Sequence, residues 1–516
     1  MATCDARISE SAFVTKLRNN IIANFGGQAW GLLMRLAFVP VYIHILGIEA
    51  FGLIGFFLSL QAIFLILDMG LAATINRELA RSLHSGANVD ETRDLVRTLE
   101  WVYWLTGLVI AAAVLALSPL LASHWLKPVE LSVQQTASAI ALMGLAAGIQ
   151  WPSSLYAGGL CGLERQVPLN GLNAIIATLR GVGAVVIILY YSPTLTAFLW
   201  WQVAVGALST LASGGLLWRL LPAGTRSAAF CMDRLVEHRV FALGMTGITV
   251  LSILLMQSDR IILSTLLPLN QFGYYTLAAT AAAAMSAVVG PFFNALYPRF
   301  SRLVAEGDEH KLVMLYHQSN QLLAVVVASV AAVLAFFAKD ILRLWTQDVS
   351  LAERSGPLLS ILVVGTALNG IMHLPYALQL AHGWTRLAFY QNLASVFFVV
   401  PSIWWLGHRF GGVGAAVVWV ALNLSYVAIS IPLMHRKFMR GEMRAWYLDD
   451  ILPPILVSVM AAGTAWIFIS IPNEQITGVF IIFLISISTI SITFAATKGT
   501  RNLVRIVLGQ IIGKSH

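Results

Sequence analysis

Fourteen apolar runs of about twenty residues, separated by short polar breaks, leave this chain few ways to fold. A helix needs roughly 20 residues to cross ~30 Å of hydrocarbon. Inside lipid it must also satisfy every backbone N–H and C=O within itself. Strands of a membrane barrel would be shorter and would alternate in polarity. Only 11% of the 516 residues are charged, against about 25% in soluble proteins. The pattern therefore predicts an all-α integral membrane protein with fourteen transmembrane helices. The runs lie near 21–43, 51–74, 100–122, 136–158, 170–190, 195–218, 240–266, 272–297, 317–338, 357–381, 386–407, 411–434, 450–471 and 476–496. No stretch between them is long enough to bury a soluble core.

Lys and Arg fix the orientation. With fourteen alternating spans, 24 of the 32 fall on one face, 5 on the opposite face and 3 inside spans. Positive residues mark the cytoplasmic side, so both termini are expected in the cytoplasm. The net charge of +8 then reports topology and an affinity for anionic lipid, and nothing points to nucleic acid. The N-terminal MATCDARISESAFVTKLRNN has no short apolar core followed by a small-residue cleavage site, so no cleaved signal peptide is expected. Cys4, Cys161 and Cys231 all fall on the basic face and are expected to be reduced thiols. The stretch RELARSLHSGANVDETRDLVRTLE on that face reads either as an interfacial helix or as a solvated loop.

An internal repeat divides the chain. At an offset of 221 residues Gly26 meets Gly247, Phe51-Gly52 meets Phe272-Gly273, Arg81 meets Arg302, Gly144 meets Gly365 and Arg165 meets Arg386. The span ends stay in register across six helices. Six is even, so both halves enter the membrane from the same side, as in parallel-repeat transporters whose substrate site lies between the halves. The expected divisions are a first six-helix lobe over 1–220, a second over 221–440, and two additional spans with a tail over 441–516.

Charges inside spans are costly, about 2.5–3.5 kcal/mol each at mid-helix, and so carry the chemistry. Asn24, Gln28, Gly31 and Arg35 fall within about 60° on a helical wheel. That stripe either faces an aqueous cavity or lets Arg35 snorkel outward. Arg180, in line with Asn173, sits at the centre of the fifth span, where it either binds substrate or is half of a buried ion pair. Arg260 shares a face with Gln257 and also lies within reach of the outer surface. Asp68 and Asp259 are candidate counter-ions or coupling carboxylates. His373 continues a polar stripe of Thr366, Asn369 and Tyr376, and is either a helix contact or a proton carrier. GQIIGKS at Gly509 to Ser515 is one residue short of a phosphate-binding loop and leaves no helix after it. No catalytic motif, metal-ligand set or cofactor is expected, so the protein is not read as an enzyme and an ion gradient or membrane potential is the expected drive.

LDMGLAATINRELAR, SDRIILSTLLPLNQFGYYTLA and LYPRFSRLVAEGD resemble the polysaccharide-flippase (Wzx-like) branch of the MOP superfamily, over spans one to twelve. The resemblance implies two six-helix lobes around a cationic cavity in the bacterial inner membrane. By it, the protein would flip a polyprenyl-diphosphate-linked oligosaccharide from inner to outer leaflet by alternating access, with the glycan polymerase as a partner. The last two spans are similar to the pair found in lipid II flippases, but few Arg lie in the first lobe's cavity helices, which points away from lipid II. The residues agree with an anionic substrate, because guanidinium forks bind phosphate bidentately. A cation or drug exporter, and a membrane-embedded glycan polymerase or ligase, are the competing readings.

Overall fold

The apolar runs form helices because no other backbone conformation satisfies its own polar groups in lipid. The computed structural model describes residue 20, residues 23–85 and residues 89–497, with backbone alone for 83–85 and 234–249. Cys4 and the Gly509 to Ser515 run lie outside the described residues. Twelve helical segments among those described are long and apolar enough to cross a membrane. The other two expected spans are helical as well, over Val133–Gln150 with Ser153–Gly162 and over Met232–Leu266.

The helices of the first part are α1 (Ala23–Leu46), α2 (Ile48–Phe64), α3 (Leu71–Ser85), α4 (Val89–Leu120), α5 (Val133–Gln150), α6 (Ser153–Gly162), α7 (Gln166–Val186), α8 (Leu195–Leu220) and α9 (Met232–Leu266). There follow α10 (Leu269–Ala283), α11 (Ser286–Glu306), α12 (Glu309–Phe336), α13 (Ala338–Thr346), α14 (Val349–Ile371), α15 (His373–Ala381), α16 (Arg386–Phe410) and α17 (Gly412–Phe438). A π turn at Trp446–Ile451 leads into α18 (Leu452–Phe468), and α19 (Gln475–Ala496) closes the described chain. Polar side chains cap the helices at their watery ends. Ser132 and Gln135 form a reciprocal capping box at α5, and Asp348 accepts from Ser350 and Leu351 at α14.

The repeat is visible in the helix boundaries. Helices α2 and α10 begin 221 residues apart, at Ile48 and Leu269, and α3 and α11 end 221 apart, at Ser85 and Glu306. Two expected continuous spans, 136–158 and 357–381, are each broken into two helices, and the breaks at Trp151 and Met372 are again 221 apart. A proline just past each break (Pro152, Pro375) removes an N–H from the ladder.

Compactness divides the chain elsewhere, into Met1–Gly273 and Tyr274–His516. Helix α9 packs on α2 and α4 and so belongs to the first unit, although the repeat assigns it to the second half. In the first unit α4 crosses α5 where Gly107 faces Gly148 backbone to backbone. Lipid supplies no hydrophobic drive between helices, so small residues that admit close approach set such crossings. In the second unit the additional pair, α18 and α19, packs on α12 through Ala332, Val333, Phe337, Ala462 and Ile485. Outward-facing apolar side chains such as Phe398 on α16 and Phe468 on α18 remain exposed, as a lipid-facing surface requires.

Candidate substrate site

Helices α1 and α7 are joined along their length by polar ties. Asn170 Nδ2 donates to Asn24 Oδ1 at 2.6 Å, and Asn24 Nδ2 to Gln166 Oε1 at 3.3 Å. Trp30 Nε1 donates to Thr178 Oγ1 at 2.9 Å, and Tyr42 Oη to the Gly181 carbonyl at 3.3 Å. Gly27 admits Asn170 to the surface of α1, since a Cβ there would lie 2.5 Å from its Oδ1. Each tie gives a polar side chain a partner within the helix pair.

Arg35 and Arg180 project from this helix pair. Arg180 is half-buried, and its enclosed Nε has no hydrogen-bond partner among the described residues. The groups acting on it electrostatically are the Tyr42 phenol and the Arg35 guanidinium. Arg35 is exposed and spends its Nε–H on the Gly31 carbonyl one turn back, at 3.2 Å. No carboxylate among the described residues pairs with either. Two neighbouring cations without an anion form a site of unsatisfied charge, which suits a dense anion presenting several oxygens. Gln28 and Asn173 are exposed on the same two helices, whereas Asn24 is committed to the tie.

No contact among the described residues joins Arg260 to Arg35 or Arg180. Arg260 is half-buried on α9, where the enclosed Gln257 Oε1 has no hydrogen-bond partner among the described residues. Its neighbour Asp259 is half-buried on the same helix. Asp68 accepts from the Tyr103 phenol and, at 3.3 Å, from the Ala72 amide, which fixes the turn between α2 and α3. His373 Nδ1 bonds the Asn369 carbonyl at 3.0 Å and its ring meets Phe293 edge-on. Asn369 in turn reaches Asn423 at 2.8 Å, so this stripe contacts α17. No group of His, Cys, Asp and Glu among the described residues is arranged to hold a metal.

Two features escape the sequence reading. Tyr42 reads as one aromatic among many, yet it sits against Arg180 and ties α1 to α7. His317 meets Glu442 and Asp450, each more than 100 positions further along the chain. The adjacent acids Asp449 and Asp450 at the start of a span were the only local signal.

Comparison with known proteins places the chain. The family profile described as "Polysaccharide biosynthesis protein" matches residues 17–304, and the profile "MatE" matches residues 248–405. A Shigella flexneri protein named "Putative O-antigen transporter" is 20% identical over 401 residues, covering 78% of this chain and 93% of its own length. Among solved structures, "Lipid II flippase MurJ, inward closed conformation" superposes with a TM-score of 0.66 at 13% identity, over 94% of this chain and 99% of that one. An inward-facing multidrug resistance MATE family transporter of the MOP superfamily gives 0.64 at 15% identity, over 80% of this chain and 96% of that one. The chain is therefore a multi-pass membrane protein that belongs to the polysaccharide biosynthesis protein family and has the fold of MOP-superfamily transporters.

Proposed function

We propose that the protein is a flippase, not an enzyme, and that it moves a polyprenyl-diphosphate-linked oligosaccharide from the inner to the outer leaflet for cell-surface polysaccharide biosynthesis. The observation that carries this reading is the uncompensated Arg35 and Arg180 pair on α1 and α7. A diphosphate brings the anionic oxygens this pair lacks, while the polyprenyl tail can stay in lipid. The family membership and the relative named for O-antigen transport support a glycan cargo. The solved structure named a lipid II flippase belongs to a protein whose cargo is also lipid-linked. A cation exporter, the reading suggested by the MatE match, would have to seat its substrate beside two unpaired guanidiniums.

The same proposal includes alternating access between the two repeat halves, driven by an ion gradient or the membrane potential. It places fourteen spans in a bacterial inner membrane with both termini in the cytoplasm, in keeping with 24 of 32 Lys and Arg on one face. Depleting the protein should make a lipid-linked oligosaccharide accumulate in the inner leaflet with its synthesis unimpaired. Accumulation in the outer leaflet, unpolymerised, would instead assign the protein to polymerisation.

A further inference from the structure

The second compact unit encloses a charged cluster remote in sequence from the arginine pair. On α12, His317 Nδ1 lies 2.5 Å from Asp450 Oδ2, and its Nε2 lies 3.1 Å from Glu442 Oε2. Asp450 belongs to the π turn that opens the additional helix pair, and its side chain is 1% exposed. Glu442, in the turn before it, is 37% exposed and gives the cluster its route to water. Gln321, one turn beyond His317, donates to the other Asp450 oxygen at 3.0 Å.

The stoichiometry of protons follows from this arrangement. An ionised carboxylate only accepts hydrogen bonds, and a neutral imidazole carries a single N–H. With an ionised carboxylate on each ring nitrogen, both bonds form only when the ring is doubly protonated. The other titratable neighbours are Tyr316, His435, Tyr447 and Asp449. His435 Nδ1 donates to the Ile431 carbonyl at 2.9 Å and its enclosed Nε2 has no hydrogen-bond partner among the described residues, so this ring is the neutral tautomer and adds no charge. The Tyr447 phenol is spent on the Val427 carbonyl at 2.6 Å.

We propose that His317 is a proton-binding site, whose proton on Nε2 clasps Glu442 and, together with Asp450, fixes the turn leading into α18 against α12. The proton arrives from and returns to water on the Glu442 side. When it leaves, the Nε2 lone pair faces a carboxylate oxygen, the bond is lost and the turn is released. The bonded form is the charged one, so the clasp is present at low pH and is lost as pH rises through the ring's titration in the folded protein. Histidine is the side chain suited to such a change near neutrality.

Hydrogen exchange of the full-length protein in lipid nanodiscs tests this, between about pH 5.5 and about pH 9 and corrected for intrinsic exchange. Amides of residues 439–452 should lose protection roughly tenfold or more as pH rises. Glu442→Gln can accept from a protonated ring and donate to a neutral one, so it should keep these amides protected up to about pH 9. His317→Gln should abolish the pH dependence. Protection that is constant with pH in the unaltered protein overturns the proposal, as does a pH dependence that survives His317→Gln. If His317→Gln does not fold, Glu442→Gln decides, and protection that falls with pH as it does in the unaltered protein is the refuting result. None of these readouts depends on which substrate is carried.

Discussion

At the scale of single residues, Arg180 poses a choice between substrate contact and structural ion pair, and its surroundings separate the two. A structural pair would need a carboxylate, and removing the arginine would then strand a buried acid at a cost of about 3–5 kcal/mol. No described carboxylate pairs with Arg180, and its electrostatic neighbours are a phenol and a second arginine. Arg180→Ala should therefore leave membrane abundance nearly unchanged and lower flipping at least tenfold. Arg180→Lys should recover part of the loss, because an ammonium keeps the charge but not the planar fork. Abundance and transport measured on the same membranes check both. A fully active Arg180→Ala protein would sink the anion site, and loss of the protein from the membrane would return Arg180 to a structural role.

At the scale of helices, the sequence repeat acquires a physical meaning at Gly52 and Gly273. These glycines are equivalent positions of the repeat, and in the folded first unit they meet each other. A Cβ on Gly52 would lie 2.6 Å from the Leu269 carbonyl oxygen and 3.0 Å from the Gly273 nitrogen. Backbone cannot yield as a flexible side chain can, and overpacking of this kind costs about 1–3 kcal/mol. Gly52→Ala should thus lower the thermal unfolding midpoint of the purified protein by several degrees. Gly26→Ala, where nothing lies within 4 Å, should leave it in place or raise it. Equal midpoints for the two variants would contradict the crossing. The Phe-Gly pairs, the span lengths and the 221-residue register are legible in sequence because each depends on local apolar length and spacing. The breaks at Trp151 and Met372 are less so, since only the nearby prolines announce them. Pairings such as His317 with Asp450 are invisible to periodicity, because they join residues 133 positions apart. The wheel stripe on α1 was legible in outline only: it contains Arg35, but its Asn24 turns out to serve the tie to α7.

At the scale of the whole molecule, the repeat and the compact units divide the chain at different places, and the proposed topology is what makes the repeat parallel. Six spans per half bring both halves in from one face; an odd number would invert the second. The two helical segments least obvious as spans, α5 with α6 and α9, therefore decide the arrangement. Arg409 follows both of them, so its side of the membrane reports their combined count, whereas Lys127 precedes them and reports the orientation of the first spans. Lys127 and Arg409 are exposed, as is Arg440 at the other end of α17. In intact cells an impermeant thiol reagent should label Lys127→Cys and Arg409→Cys, and should label Arg440→Cys only after permeabilisation. The native thiols Cys161 and Cys231 are half-buried, and restricted access slows their reaction on either side. Their silence alone would prove little, so the introduced cysteines carry the test. Labelling of Lys127→Cys with protection of Arg409→Cys would mean that one of the two segments does not cross, and the second half would then run inverted. Strong labelling of Cys231 from outside together with protection of Lys127→Cys would reverse the orientation altogether.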